Sequence, residues 1–150
     1  MKLYSENLVY GEIIKIDCNK EICQVTLKTK SGKINVISSK HFIEIYSLDT
    51  NINVNILINP IDVYVLKMAK PDMGASNILH GRIRAVVLTG LVTAVTIDTD
   101  SGEFISLMST DEWKKTELEE GSQACVAFKA AACRITTVDD ENPGQKAFDF

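Results

Sequence analysis

The chain has 150 residues, 45% of them hydrophobic and 24% charged, with a formal net charge of −4 and a pI near 5.2. That balance excludes a disordered or fibrous chain, and a net-negative field repels nucleic-acid phosphates and anionic lipid rather than collecting them. No stretch reaches the roughly 18 apolar residues of a membrane span, and Met1–Asn7 lacks the apolar run of a secretory signal, so a cytoplasmic chain without membrane insertion is expected.

Residues 8–17 carry Leu8, Val9, Ile13, Ile14 and Ile16 among polar positions, and residues 22–29 alternate Ile22, Cys23, Val25 and Leu27 with polar neighbours. Period-two alternation predicts strands. Ser31-Gly32 predicts a tight turn into a third strand through Ile34, Val36 and Ile37. Ser38 or Ser39 then caps a short helix over Lys40–Ile45, and Val54–Ile58 forms a further strand. Pro71 and Gly74 punctuate a linker. Beyond it Ser101-Gly102 predicts a second hairpin leading into Phe104, Ile105 and Leu107. Ser109-Thr110-Asp111-Glu112 is a capping box for a helix through Trp113 and Lys115, followed by a turn and a strand over Cys125–Phe128. From Asp139 onward the chain is acidic and breaker-rich, as expected of a disordered tail.

Sliding the chain against itself by seventy positions pairs Asn7 with Asn77, Gly11 with Gly81, Ile13 with Ile83 and Val25-Thr26 with Val95-Thr96. The same register pairs Ser31-Gly32 with Ser101-Gly102, Ser39 with Ser109 and Leu48 with Leu118. A fixed period over most of the chain means that each unit is one structural piece. The expectation is an all-β protein of two tandem OB-like small β-barrels, each with one short helix. The modules are residues 1–68 and 75–138, with a linker at 69–74 and the tail at 139–150.

Chemistry-bearing clusters are few. Cys18, Cys23, Cys125 and Cys133 form neither a CxxC pair nor a zinc knuckle and are expected to be thiols in a reducing compartment. His41 and His80 fall at non-equivalent repeat positions, and neither sits in a nucleophile arrangement. Asp98/Asp100 and Asp139/Asp140/Glu141 lack the spacing of a calcium loop. No catalytic residue, resident cofactor or direct cation ligand is expected, and the chain reads as a non-enzyme. From the residues alone, Lys129 is a solvated charge, and Asn7 and Asn77 are turn residues that bond their own backbone.

Each unit nevertheless resembles a transport-associated OB domain of the kind found in molbindins, small molybdate- and tungstate-binding proteins. The family opens a unit with Ser-Ala-Arg-Asn, three residues and Gly; here Ala75-Ser76-Asn77-Ile78-Leu79-His80-Gly81 and Ser5-Glu6-Asn7-Leu8-Val9-Tyr10-Gly11 stand in its place. The family closes a unit with Ile-Lys-Ala-Ser; here Phe128-Lys129-Ala130-Ala131 and Ile58-Asn59-Pro60-Ile61 do so. The family's Arg is Glu6 in one unit and Ser76 in the other, and its Lys survives only as Lys129. The resemblance implies cytoplasmic binding of a tetrahedral oxyanion, molybdate or tungstate, for storage, buffering or homeostasis. Its ligand set would be Ser76, Asn77, Lys129, Ala130 and Ala131, with Ser5, Asn7 and Asn59 as a weaker set in the first module. It further implies sites between subunits of a homo-oligomer, most simply a trimer of this two-module chain. One alternative is a regulatory module of a molybdate-transporter ATPase or a molybdate-responsive regulator. Another is a nucleic-acid-binding barrel, against which the acidic balance and the scattered one Trp, four Tyr and five Phe both speak.

Overall fold

The computed structural model describes residues 5–68 and 77–137; Ser76, the linker 69–74 and the tail 139–150 lie outside the described residues. In chain order the elements are β1 (Asn7–Cys18), β2 (Ile22–Thr29), β3 (Gly32–Ser39), α1 (Lys40–Ile45), β4 (Asn53–Ile58), a 3-10 turn (Pro60–Asp62) and β5 (Tyr64–Leu66). The second series is β6 (Asn77–Thr89), β7 (Val92–Thr99), β8 (Gly102–Ser109), α2 (Thr110–Thr116), β9 (Gln123–Phe128), a 3-10 turn (Ala130–Ala132) and β10 (Cys133–Thr137). The expected hairpin glycines, Gly32 and Gly102, sit at φ +108° and +112°. The expected caps form: Ser39 Oγ accepts from Phe42 N and Ser109 Oγ from Glu112 N, both at 3.1 Å.

Two five-stranded sheets result, ordered β10-β4-β1-β2-β3 and β5-β9-β6-β7-β8. Each long first strand pairs one neighbour with its early residues and another with its late ones, and its register shifts at Ile13/Lys15 in β1 and Ile83/Ala85 in β6. Such bulges bend a strand and raise its twist, so each sheet curls into a half-barrel, the tandem OB-like architecture expected. The last strand of each repeat crosses over: β5 pairs with β9, and β10 with β4, through Ile135↔Ile56 and its neighbours. Sequence repeat and spatial sheet therefore differ by one strand. The crossing carries Val63, Val65, Cys133 and Ile135 into one continuous core with Val9, Ile13, Leu79, Phe104 and Phe128.

The shared glycines allow close approach within each sheet. A Cβ on Gly81 would lie 2.5 Å from the Asp98 carbonyl oxygen, and one on Gly11 3.2 Å from that of Lys28. The two halves are stitched by a contact made once in each direction. Asn7 donates from Nδ2 to Ile105 O at 2.9 Å and accepts from Ile105 N at 2.7 Å; Asn77 does the same to Asn35 at 2.8 and 2.7 Å. Ile105 and Asn35 are themselves seventy residues apart, so the repeats relate by an approximate two-fold axis. Near it the two hairpin turns meet, Ser101 Oγ lying 2.7 Å from Ser31 Oγ. Two expectations are corrected here. The asparagines bond the other half's backbone rather than their own, because the crossing strands bring β3 and β8 beside them. Cys18 and Cys23 form a disulfide rather than free thiols, since the hairpin register sets them directly opposite with Cα atoms 4.0 Å apart. Cys125 and Cys133 are buried thiols.

Candidate functional site

In the second repeat the opening strand and the closing turn are neighbours by register. Asn77 starts β6 opposite Phe128, the last residue of β9, and the next residue, Lys129, caps the turn Ala130–Ala132. Lys129 and Ala131 are exposed, while Ala130 is buried. Lys129 makes no side-chain cap hydrogen bond and no ion pair among the described residues. Beneath it the buried Cys133 thiol donates to Lys129 O at 3.5 Å and receives Asn77 Nδ2 at 3.8 Å. Burial pushes the Cys133 thiol up from 9.0 to about 12, helped by the charge of Asp62. It is a fixed neutral group at the floor of the site.

The first repeat has the same frame with different chemistry. Asn7 lies opposite Ile58, and the following Asn59 caps its own turn, its Oδ1 accepting from Ile61 N at 3.1 Å. Ser5 is exposed two residues before Asn7. Glu6, its side chain only 9% exposed, is ion-paired with Arg134 of the exchanged strand β10. Asp62 stands exposed within the turn and adds a negative charge.

Of the residues expected to bind, Asn77, Lys129, Ala130 and Ala131 are thus brought together, and Asn7 and Asn59 form their counterpart. Ser76 falls outside the described residues. Both functional ends of each asparagine amide are already used in stitching the halves. Sequence reasoning missed Arg134 as the partner of Glu6. The two are 128 residues apart, and only the strand exchange joins them. The second repeat thus presents Lys129, without an ion pair among the described residues, next to Ala130 and Ala131; the first presents a self-capped turn, the Glu6–Arg134 pair and the Asp62 carboxylate, whose charge also bears on Cys133 beneath Lys129.

Residues 74–135 match the family model for the TOBE domain. No curated protein matches the chain. Among solved structures the chain is similar to the cytoplasmic molybdate-binding protein ModG in a crystal form with molybdate bound. The TM-score is 0.83 at 18% sequence identity, covering 91% of this chain and 99% of that one. At that identity the likeness is one of fold.

Proposed function

We propose that this chain binds a tetrahedral oxyanion, molybdate or tungstate, in the cytoplasm, as a store or buffer and without catalysis. The observation that carries the reading is Lys129: an exposed ammonium without an acidic partner among the described residues, one position beyond the strand pair opened by Asn77, within the segment that matches the TOBE domain. The fold likeness to a molybdate-bound protein over nearly the full length of both chains supports it.

A tetrahedral dianion is held by converging donors, with one or two cations and several N–H or O–H groups. In this reading Lys129 supplies the charge, Ser76 a hydroxyl and Ala131 a backbone N–H, with Ala130 beside it in the turn; Asn77 holds the frame. Donors from one repeat cover one side of such an ion, so the site is completed by a second copy, most simply in a trimer of chains whose modules are 1–68 and 75–138. The first repeat, with Ser5, Asn7 and Asn59, is the weaker partner. A carboxylate about 4 Å from a unit charge costs on the order of 4 kcal/mol per charge at an effective dielectric of 20, and Asp62 lies in its turn.

Calorimetric titration with molybdate, tungstate, sulfate and phosphate tests this. Molybdate or tungstate is expected to release heat and saturate. Lys129→Ala should weaken binding roughly ten- to a hundredfold, the worth of a hydrogen bond from a charged group, while Asn59→Ala leaves it within a factor of about two. An absence of heat with all four ions, or unchanged affinity in Lys129→Ala, removes the reading.

A further inference from the structure

Away from the Lys129 turn, β6 and β9 hold an imidazole against a thiol. His80 and Cys125 stand directly opposite each other on the two strands, and directly opposed residues of an antiparallel pair point to the same face of the sheet. His80 Nδ1 lies 3.5 Å from the Sγ of Cys125. His80 is exposed and Cys125 is buried, and both line a cleft of about 680 Å³. Met68, 73% exposed, lines the same cleft. The strand exchange brings it there: Leu66, two residues earlier, is opposite Cys125 in the β5–β9 pair.

The first repeat keeps the register and changes the chemistry. Tyr10 faces Asn55 there, and β10 sets Thr136 on the other side of Asn55. None of these three is a sulfur or imidazole donor, so the cluster belongs to the second repeat alone.

Thiolate, thioether and imidazole are the donors of a soft metal ion. At bond lengths of about 2.3 Å to sulfur and about 2.0 Å to nitrogen, typical of a d10 ion, a metal spanning the 3.5 Å between Sγ and Nδ1 subtends an angle of about 109°. The ion therefore fits between the two groups without either strand moving. A four-ligand ion such as Zn(II) lacks its set: no three of His, Cys, Asp and Glu come together as a metal cage among the described residues. Charge does not favour a divalent cation either. Lys67 and Arg82 line the cleft in equal number with Asp98 and Asp100, and Asp98 already pairs with Arg84 at 3.2 Å.

We infer that Cys125, His80 and Met68 form a binding site for a soft monovalent metal ion, Cu(I). The ion takes the place of the thiol proton, which passes to solvent, so the thiolate and Cu(I) together are neutral and suit a buried sulfur. Cys125 Sγ and His80 Nδ1 are the two fixed ligands, and the exposed Met68 thioether closes on the ion from the cleft side. No oxidation or reduction is involved. The site does not depend on the oxyanion reading, and its test is run with no oxyanion present.

Anaerobic titration of the full chain against the coloured Cu(I) complex of bicinchoninate tests this, with ascorbate as reductant so that Cys18–Cys23 stays bridged. The wild type is expected to withdraw one equivalent of copper. Cys125→Ser and His80→Ala should each weaken binding roughly a hundredfold, since even outer partners of metal ligands are worth about ten- to a hundredfold, and Met68→Leu about tenfold. Cys133→Val should keep the wild-type affinity. A wild type that withdraws no copper overturns the inference. So does wild-type affinity in any of the three ligand variants, an equal loss in Cys133→Val, or displacement of the copper by an equal concentration of Zn(II). Should Cys125→Ser lose its sheet spectrum in circular dichroism, His80→Ala and Met68→Leu, both at exposed positions, are read by the same criteria.

Discussion

The two repeats share the residues that stitch the halves, admit a neighbouring strand, turn the β2–β3 and β7–β8 hairpins and cap the helix, while other special backbone positions differ, as at Asn51/Gly121 and Ser47/Glu117. Asn7/Asn77, Gly11/Gly81, Ser31-Gly32/Ser101-Gly102 and Ser39/Ser109 each perform one architectural task twice: stitching the halves, admitting a neighbouring strand, turning a hairpin, capping a helix. Asn59/Lys129 and Glu6/Ser76 have diverged at positions the resemblance assigns to the ion site, and Glu21/Leu91 and Ile45/Lys115 at exposed positions. Internal duplication thus separates the two kinds of constraint within a single chain. What recurs at seventy residues supports the fold, and what does not recur distinguishes the halves.

Alanine at the two paired glycines probes this division most strongly. Gly81→Ala should cost roughly 3 kcal/mol or more, because the added Cβ meets the Asp98 carbonyl at 2.5 Å, whereas Gly11→Ala, with its nearest contacts at 3.2 Å, should cost about 1 kcal/mol. Urea midpoints read this directly; equal losses would mean that β7 yields as readily as β2. A smaller and symmetric effect is expected at the asparagines. Asn7→Ala and Asn77→Ala each strand one backbone N–H and one carbonyl of the facing strand, about 2 kcal/mol in each case. A difference above about 1 kcal/mol between them would contradict the two-fold relation of the stitch.

The smallest effect concerns pH. Cys133 occupies the position held by Val63 in the first repeat. Its thiol titrates at about 12 in the folded chain against 9.0 in the unfolded one. The folded state holds the proton more tightly, so the stabilisation is fully present below pH 9 and is lost as pH rises from 9 towards 12. By pH 10 the loss is roughly 1 kcal/mol. Cys133→Val, which copies the first repeat, should flatten that part of the pH–stability curve; an unchanged slope would assign the alkaline loss to other groups.

Much of the fold was legible because it is local. The strand alternation, the hairpin glycines and both serine caps follow from residues within a few positions of one another, and α1 occupies Lys40–Ile45 as its cap predicts. The strand exchange was not legible, since β5 and β10 present the same short apolar pattern whichever sheet they join. What depends on that exchange was hidden with it: the Glu6–Arg134 pair, and the true partners of Asn7 and Asn77. The Cys18–Cys23 bridge needed the hairpin register. Lys129 came from family resemblance alone, for a lysine after a strand has no distinguishing pattern of its own.

The crossed terminal strands have a stoichiometric meaning. The edge beside β4 is filled by β10 and the edge beside β9 by β5, and the covalent tether supplies each exchanged segment at high effective concentration. Two free polypeptides could assemble in any ratio, with two lysine-bearing halves or none. The fused chain always delivers one of each, so any larger assembly holds equal numbers of Lys129-bearing and Asp62-bearing turns.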